Sequence, residues 1–79
     1  MEYSADLKAF NQLLADYQGR FIRFANIYVR DIAVAEDFTI EALMQYWENR
    51  NTLKADSNVP AYILTIIKNK CINYLQHIQ

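Results

Sequence analysis

Few side chains in this sequence are capable of chemistry, and their spacing limits what each can do. His77 is the one histidine and Cys71 the one cysteine. General acid–base catalysis needs a partner held within hydrogen-bond reach of the reacting group. His77 lies three residues from the last position with no Cys, Ser or Asp constellation beside it, so it reads as an exposed side chain. Cys71 falls on the apolar side of a helical pattern, where a lone cysteine packs as a small hydrophobe. Glu36, Asp37 and Glu41 are oxygen donors, but no Glu-x-x-His pair accompanies them, and an acid-only helical strip is ordinarily solvated. No metal or other cofactor is expected. A single glycine cannot build a Gly-rich phosphate loop. With neither a nucleophile–base pair nor a ligand set, the sequence does not describe an enzyme or imply a small-molecule substrate. A different chemistry gathers near the end, where Tyr62, Lys68, Asn69, Lys70, Asn73, Gln76 and His77 mix aromatic, cationic and amide groups. Aromatic rings stack on unpaired bases, cations meet phosphates and amides read base edges. The same residues also suit a solvated helix face with some tyrosine packing. Two lysines are too few to hold duplex DNA tightly without help.

Charge is segregated along the chain. The net charge of −1 over 79 residues gives no global argument for a polyanion partner. Residues 31–50 carry Asp31, Glu36, Asp37, Glu41 and Glu48 against Arg50 alone, a local balance of −4. Residues 59–79 carry Lys68 and Lys70 with no acid, a balance of +2. An acidic segment beside a mildly basic one can serve a basic protein surface and a polyanion; it also fits two solvated faces. A composition of 53% hydrophobic residues with one Gly and one Pro excludes disordered, collagen-like and low-complexity chains. One cysteine excludes an intrachain disulfide framework. No apolar run approaches a membrane span, and the opening Met-Glu-Tyr-Ser-Ala-Asp-Leu-Lys lacks the basic-then-apolar order of a signal peptide. A cytoplasmic location without membrane insertion is expected.

The elements that must position these groups are helical. Leu7, Phe10, Leu13, Leu14 and Tyr17 recur at helical spacing, as do Phe21, Phe24, Ala25 and Tyr28. Gly19 separates the two groups and predicts a break or kink. Asp31 is placed to cap the next helix, with Glu36 and Asp37 near its positive end. Ala35, Phe38, Ala42, Leu43, Tyr46 and Trp47 then form an apolar face, and Asp37, Glu41 and Glu48 line the opposite one. Residues 54–58 read as a polar loop. Pro60 suits a first helical turn capped by Ser57 or Asn58. Ile63, Ile66, Ile67, Cys71, Tyr74, Leu75 and Ile78 continue that helix. The expected fold is all-α, a small bundle of three to four helices at about 4–17, 19–30, 33–50 and 59–77, forming one domain over 1–79.

Two blocks carry a resemblance. Val34-Ala-Glu-Asp-Phe-Thr-Ile-Glu-Ala-Leu-Met-Gln-Tyr-Trp47 resembles the alanine-glutamate-aspartate, glutamate, tryptophan pattern of bacterial RNA polymerase sigma factors. Val59-Pro-Ala-Tyr-Ile-Leu-Thr-Ile-Ile-Lys-Asn-Lys-Cys-Ile-Asn-Tyr-Leu75 is similar to the next block of that family. Tyr28-Val-Arg-Asp31 and the Phe10/Leu14/Tyr17/Phe21 pattern also fit. The resemblance runs over about residues 5–77, and the nearest type is region two of the extracytoplasmic-function (ECF) class.

The resemblance implies an all-helical domain whose acidic block docks on the coiled-coil clamp helices of the largest polymerase subunit. By position, Asp37 and Glu41 match the docking carboxylates, with Glu36 and Gln45 as neighbours, and Trp47 matches a packing tryptophan. It implies that the last helix and the loop before it open and read the promoter −10 element. The loop from Thr52 to Asn58, with Lys54, Ser57 and Asn58, matches the segment that receives a flipped non-template base. Tyr62, Lys68, Asn69, Lys70 and Asn73 match positions facing that strand. The resemblance further implies an anti-sigma partner, often membrane-tethered, covering the docking surface, and a second domain that reads the −35 element. On that basis the 79 residues are expected to be a fragment.

This chain departs from the family pattern at three positions. Ile40 stands where a polar residue, often glutamine, is usual in the docking block. Asn73 replaces a common aspartate, and Gln76 replaces a common arginine, which removes a cation. The competing expectation is a helical protein-interaction module without DNA recognition.

Overall fold

A computed structural model describes residues 2–54 and 56–78. Its order is α1 (Glu2–Val29), α2 (Ile32–Asn49), a 3₁₀ turn (Arg50–Thr52) and α3 (Val59–His77). The bundle is therefore all-α, with three helices where three or four were expected.

The break expected at Gly19 does not form, because α1 runs unbroken through it for 28 residues. The apolar stripe continues across the glycine at i, i+4 spacing from Tyr17 to Phe21, Ala25 and Val29. Tyr17 and Phe21 stack with centroids 5.8 Å apart, bracketing the exposed Gly19. A glycine costs about 1 kcal/mol in a helix interior, less than burial of the flanking aromatics returns.

A two-residue turn joins α1 to α2. The Arg30 N–H donates to the Asn26 carbonyl at 2.9 Å and closes α1. Arg30 itself has φ 53°, in the left-handed region. Asp31 then caps α2 as expected, its Oδ1 accepting from the N–H groups of Ala33 (3.1 Å) and Val34 (3.3 Å). Glu36 and Asp37 lie beyond the first turn of α2, too far along to act on its positive end. A side chain in left-handed backbone costs about 1–2 kcal/mol, and glycine escapes that cost. Arg30→Gly is therefore expected to stabilise the chain by about 0.5–1 kcal/mol after its larger unfolded-state entropy is counted. A thermal melt reads this as a midpoint raised by about 2–8 °C; an unchanged or lowered midpoint would mean that Arg30 contributes contacts worth more than the strain.

The core is Phe21, Ala25 and Val29 of α1, Ala35, Thr39, Ala42 and Leu43 of α2, and Ile63, Ile67 and Cys71 of α3. The alanines let the helices approach closely. Thr39 is fully buried, and its hydroxyl donates to the Ala35 carbonyl at 2.8 Å, which satisfies it inside the helix. Leu7 and Ile78, grouped with the core by periodicity, are exposed. Asn58 caps α3, its Oδ1 accepting from the Ala61 N–H at 3.1 Å, with Pro60 in the first turn. The start of α1 is tied to the end of α2 by Arg50. Its Nε donates to Asp6 Oδ2 at 3.1 Å, and its Nη1 donates to the Trp47 carbonyl. Its guanidinium lies 3.7 Å from the Trp47 ring centroid. Trp47 packs on Phe10 at 5.0 Å, so the tryptophan has a packing role. No helix among the described residues is long and apolar enough to cross a membrane.

Candidate protein- and nucleic-acid-binding faces

Helix geometry turns the acidic block into a strip. Asp37, Glu41 and Glu48 lie on the face of α2 that points away from Ala35, Thr39 and Ala42, and all three are exposed. Glu36 and Gln45 flank them and are also exposed. The four residues expected to bind a protein partner are thus all accessible, with Asp37 and Glu41 together on the strip and Glu36 and Gln45 at its two sides, nine positions and about half a turn apart. The carboxylates of the strip suit a basic surface.

The residues expected to face DNA are more dispersed. Tyr62, Asn69 and Asn73, at i, i+7 and i+11, occupy one stripe of α3. Asn69 and Asn73 are exposed, whereas Tyr62 is half-buried against Tyr46 with ring centroids 6.3 Å apart. Lys68 and Lys70 are two positions apart and so leave α3 on opposite sides. Lys68 is exposed. Lys70 turns toward α2, and its Nζ donates to Glu41 Oε1 at 3.1 Å. This ion pair joins a residue of one expected face to a residue of the other, two groups that sequence pattern alone keeps apart. In the loop, Lys54 is exposed, and its carbonyl accepts from the Ser57 N–H at 3.0 Å. Ser57 is half-buried, and Asn58 spends its Oδ1 on the helix cap.

The two groups first considered for catalysis have other engagements. Cys71 is buried, its Sγ facing the Ala25 carbonyl at 3.8 Å, and burial pushes its thiol above the ordinary range. A thiol held protonated is a poor nucleophile. His77 Nδ1 lies 2.7 Å from the Asn73 carbonyl, within its own last helical turn. Among the described residues no group of three or more His, Cys, Asp or Glu could hold a metal ion.

The acidic face holds one exposed residue that sequence reasoning missed. Met44 lies seven positions after Asp37 and four before Glu48, on the same line, and is 58% exposed. The helical spacing that places the acids also places Met44, which the apolar face of Ala35, Phe38, Ala42, Leu43, Tyr46 and Trp47 leaves out.

Comparison with known proteins gives a family. The sigma-70 region 2 family model matches residues 13–79. A protein of Haemophilus influenzae named "Probable RNA polymerase sigma factor" is 32% identical over 63 residues, which are 80% of this chain and 32% of that protein. The chain thus matches about a third of that relative's length. No solved structure matches.

Proposed function

The chain belongs to the sigma-70 region 2 family, and we propose that it acts in transcription initiation, docking on RNA polymerase and engaging the promoter −10 element. The observation that carries this reading is the exposed strip of Asp37, Glu41 and Glu48 on the outer face of α2, with Glu36 and Gln45 exposed at its sides. In this proposal the strip meets the basic clamp helices of the largest polymerase subunit, as in ECF sigma factors. The polymerase then holds the duplex, so this domain need not bind DNA tightly alone. Flipping a base costs a few kcal/mol, which stacking and a shaped loop can offset at about 1–3 kcal/mol per base. Lys54, Ser57 and Asn58 in the loop and Tyr62, Lys68, Asn69, Lys70 and Asn73 on α3 are the groups proposed to face the non-template strand. An anti-sigma factor covering the acidic strip is part of the same proposal. None of these steps makes or breaks a covalent bond on this chain.

A helical protein-interaction module without DNA recognition is the second reading. The divergence of Lys68 and Lys70 and the pairing of Lys70 with Glu41 favour it. One experiment separates the two. The 79-residue chain is titrated with core RNA polymerase at low and high salt, and the complex is then titrated with single-stranded oligonucleotides. Polymerase binding that weakens with salt, with preference for a −10-like strand, is the expected result. Polymerase binding without strand preference selects the second reading, and no polymerase binding by a folded chain overturns docking.

A further inference from the structure

The outer face of α2 is not uniformly polar. Ile40 is 50% exposed and Met44 58% exposed, one turn apart and among Glu36, Asp37, Glu41 and Glu48. On the side of Met44 nearer α1, the surface falls into an open groove of about 270 Å³ lined by Leu7, Phe10, Met44, Trp47 and Glu48. Single exposed apolar side chains are ordinary on a protein surface. A contiguous apolar track rimmed by charge has the anatomy of an interface, with a desolvated centre and a polar margin.

We propose that Ile40, Met44 and this groove form an apolar anchor site for a basic amphipathic helix that presents a bulky aliphatic or aromatic side chain between lysines or arginines. Charge complementarity selects this occupant, since four carboxylates surround the track. The inference rests on the docking reading and adds the chemistry of the partner's contact. Where the family pattern places a polar residue, this chain offers Ile40, so its cognate clamp surface carries an apolar side chain opposite. Such an anchor gives binding a part that salt does not screen, and it discriminates against a partner with a polar group at that point, which would be buried unpaired.

The test uses Ile40→Gln and Met44→Gln, both at exposed positions and neither changing the charge. Binding of each to core RNA polymerase is measured at low and high salt, with circular dichroism to confirm the fold and sedimentation to record self-association. Each variant is expected to bind about tenfold more weakly than the parent, and the parent's high-salt binding is expected to disappear. If the parent binds and both variants stay within about twofold of it, the anchor is overturned while docking stands. A dimer of the parent that the variants fail to form, with polymerase binding unchanged, assigns the track to a second copy and also overturns the proposal. Failure of the folded parent to bind polymerase removes the docking reading and this inference with it.

Discussion

Asp37→Lys combined with Glu41→Lys is expected to lower affinity for core RNA polymerase at least about a hundredfold while leaving the fold intact. The two carboxylates are one turn apart on an exposed face. Each reversal turns an attraction to a basic partner into a repulsion. Close charge pairs at protein interfaces couple by about 1.5–7 kcal/mol. Two reversals at the low end of that range sum to about 3 kcal/mol, or about two powers of ten in affinity. Stability should change little, because the interaction that these reversals break within the chain is the Glu41–Lys70 pair, whose carboxylate side chain is 54% exposed. Solvent screening holds such pairs to about 1 kcal/mol or less. Glu48→Lys, at the far end of the strip and beside the Met44 groove, should weaken binding less than the double variant, since it reverses one carboxylate instead of two. Binding kinetics with immobilised polymerase would read the effect mainly as faster dissociation, with slower association at low salt. A folded double variant that binds like the parent would remove the acidic strip from the interface.

That strip is legible in the sequence because it depends only on the period of one helix. The same holds for the caps. Asp31 and Asn58 are side chains whose oxygens reach N–H groups two or three residues on, so local chemistry fixes them. The limits of α3 fall where expected, and those of α2 within one residue. The failures share a cause. Gly19 looks like a break because its local cost is visible in the sequence, whereas the burial that overrides it comes from packing of α1 against α2 and α3. The Glu41–Lys70 pair spans 29 positions and depends on how α2 and α3 are rotated about their axes, which neither pattern encodes alone. The divergence of Lys68 and Lys70 follows from the roughly 100° step of the helix. It is hidden when the residues of α3 are grouped by chemical type instead of by angle.

Phe21→Ala is expected to leave the chain largely unfolded at room temperature, because the same side chain holds α1 together across Gly19 and fills the centre of the bundle. Phe21 is 1% exposed and is among the largest fully buried side chains. Replacing a buried phenylalanine by alanine costs about 3–5 kcal/mol, through forfeited transfer energy and the cavity left behind. A single core in a chain of this size rarely supplies more than about 3–5 kcal/mol. Ala25, Ala35 and Ala42 are already small and cannot swell into the space, so collapse would require the helices themselves to move. Far-UV circular dichroism and a urea titration would show reduced helicity and no cooperative transition near the parent midpoint. This outcome differs in kind from that of the charge-reversed variant, which keeps its fold and loses its partner. Because α2 presents the acidic strip only while its opposite face is packed on α1 and α3, Phe21→Ala should also abolish polymerase binding without altering the strip itself. A cooperative transition within about 1 kcal/mol of the parent would be too small for a filled core position, and the continuity of α1 would then have to rest on packing other than the aromatic pair that brackets Gly19.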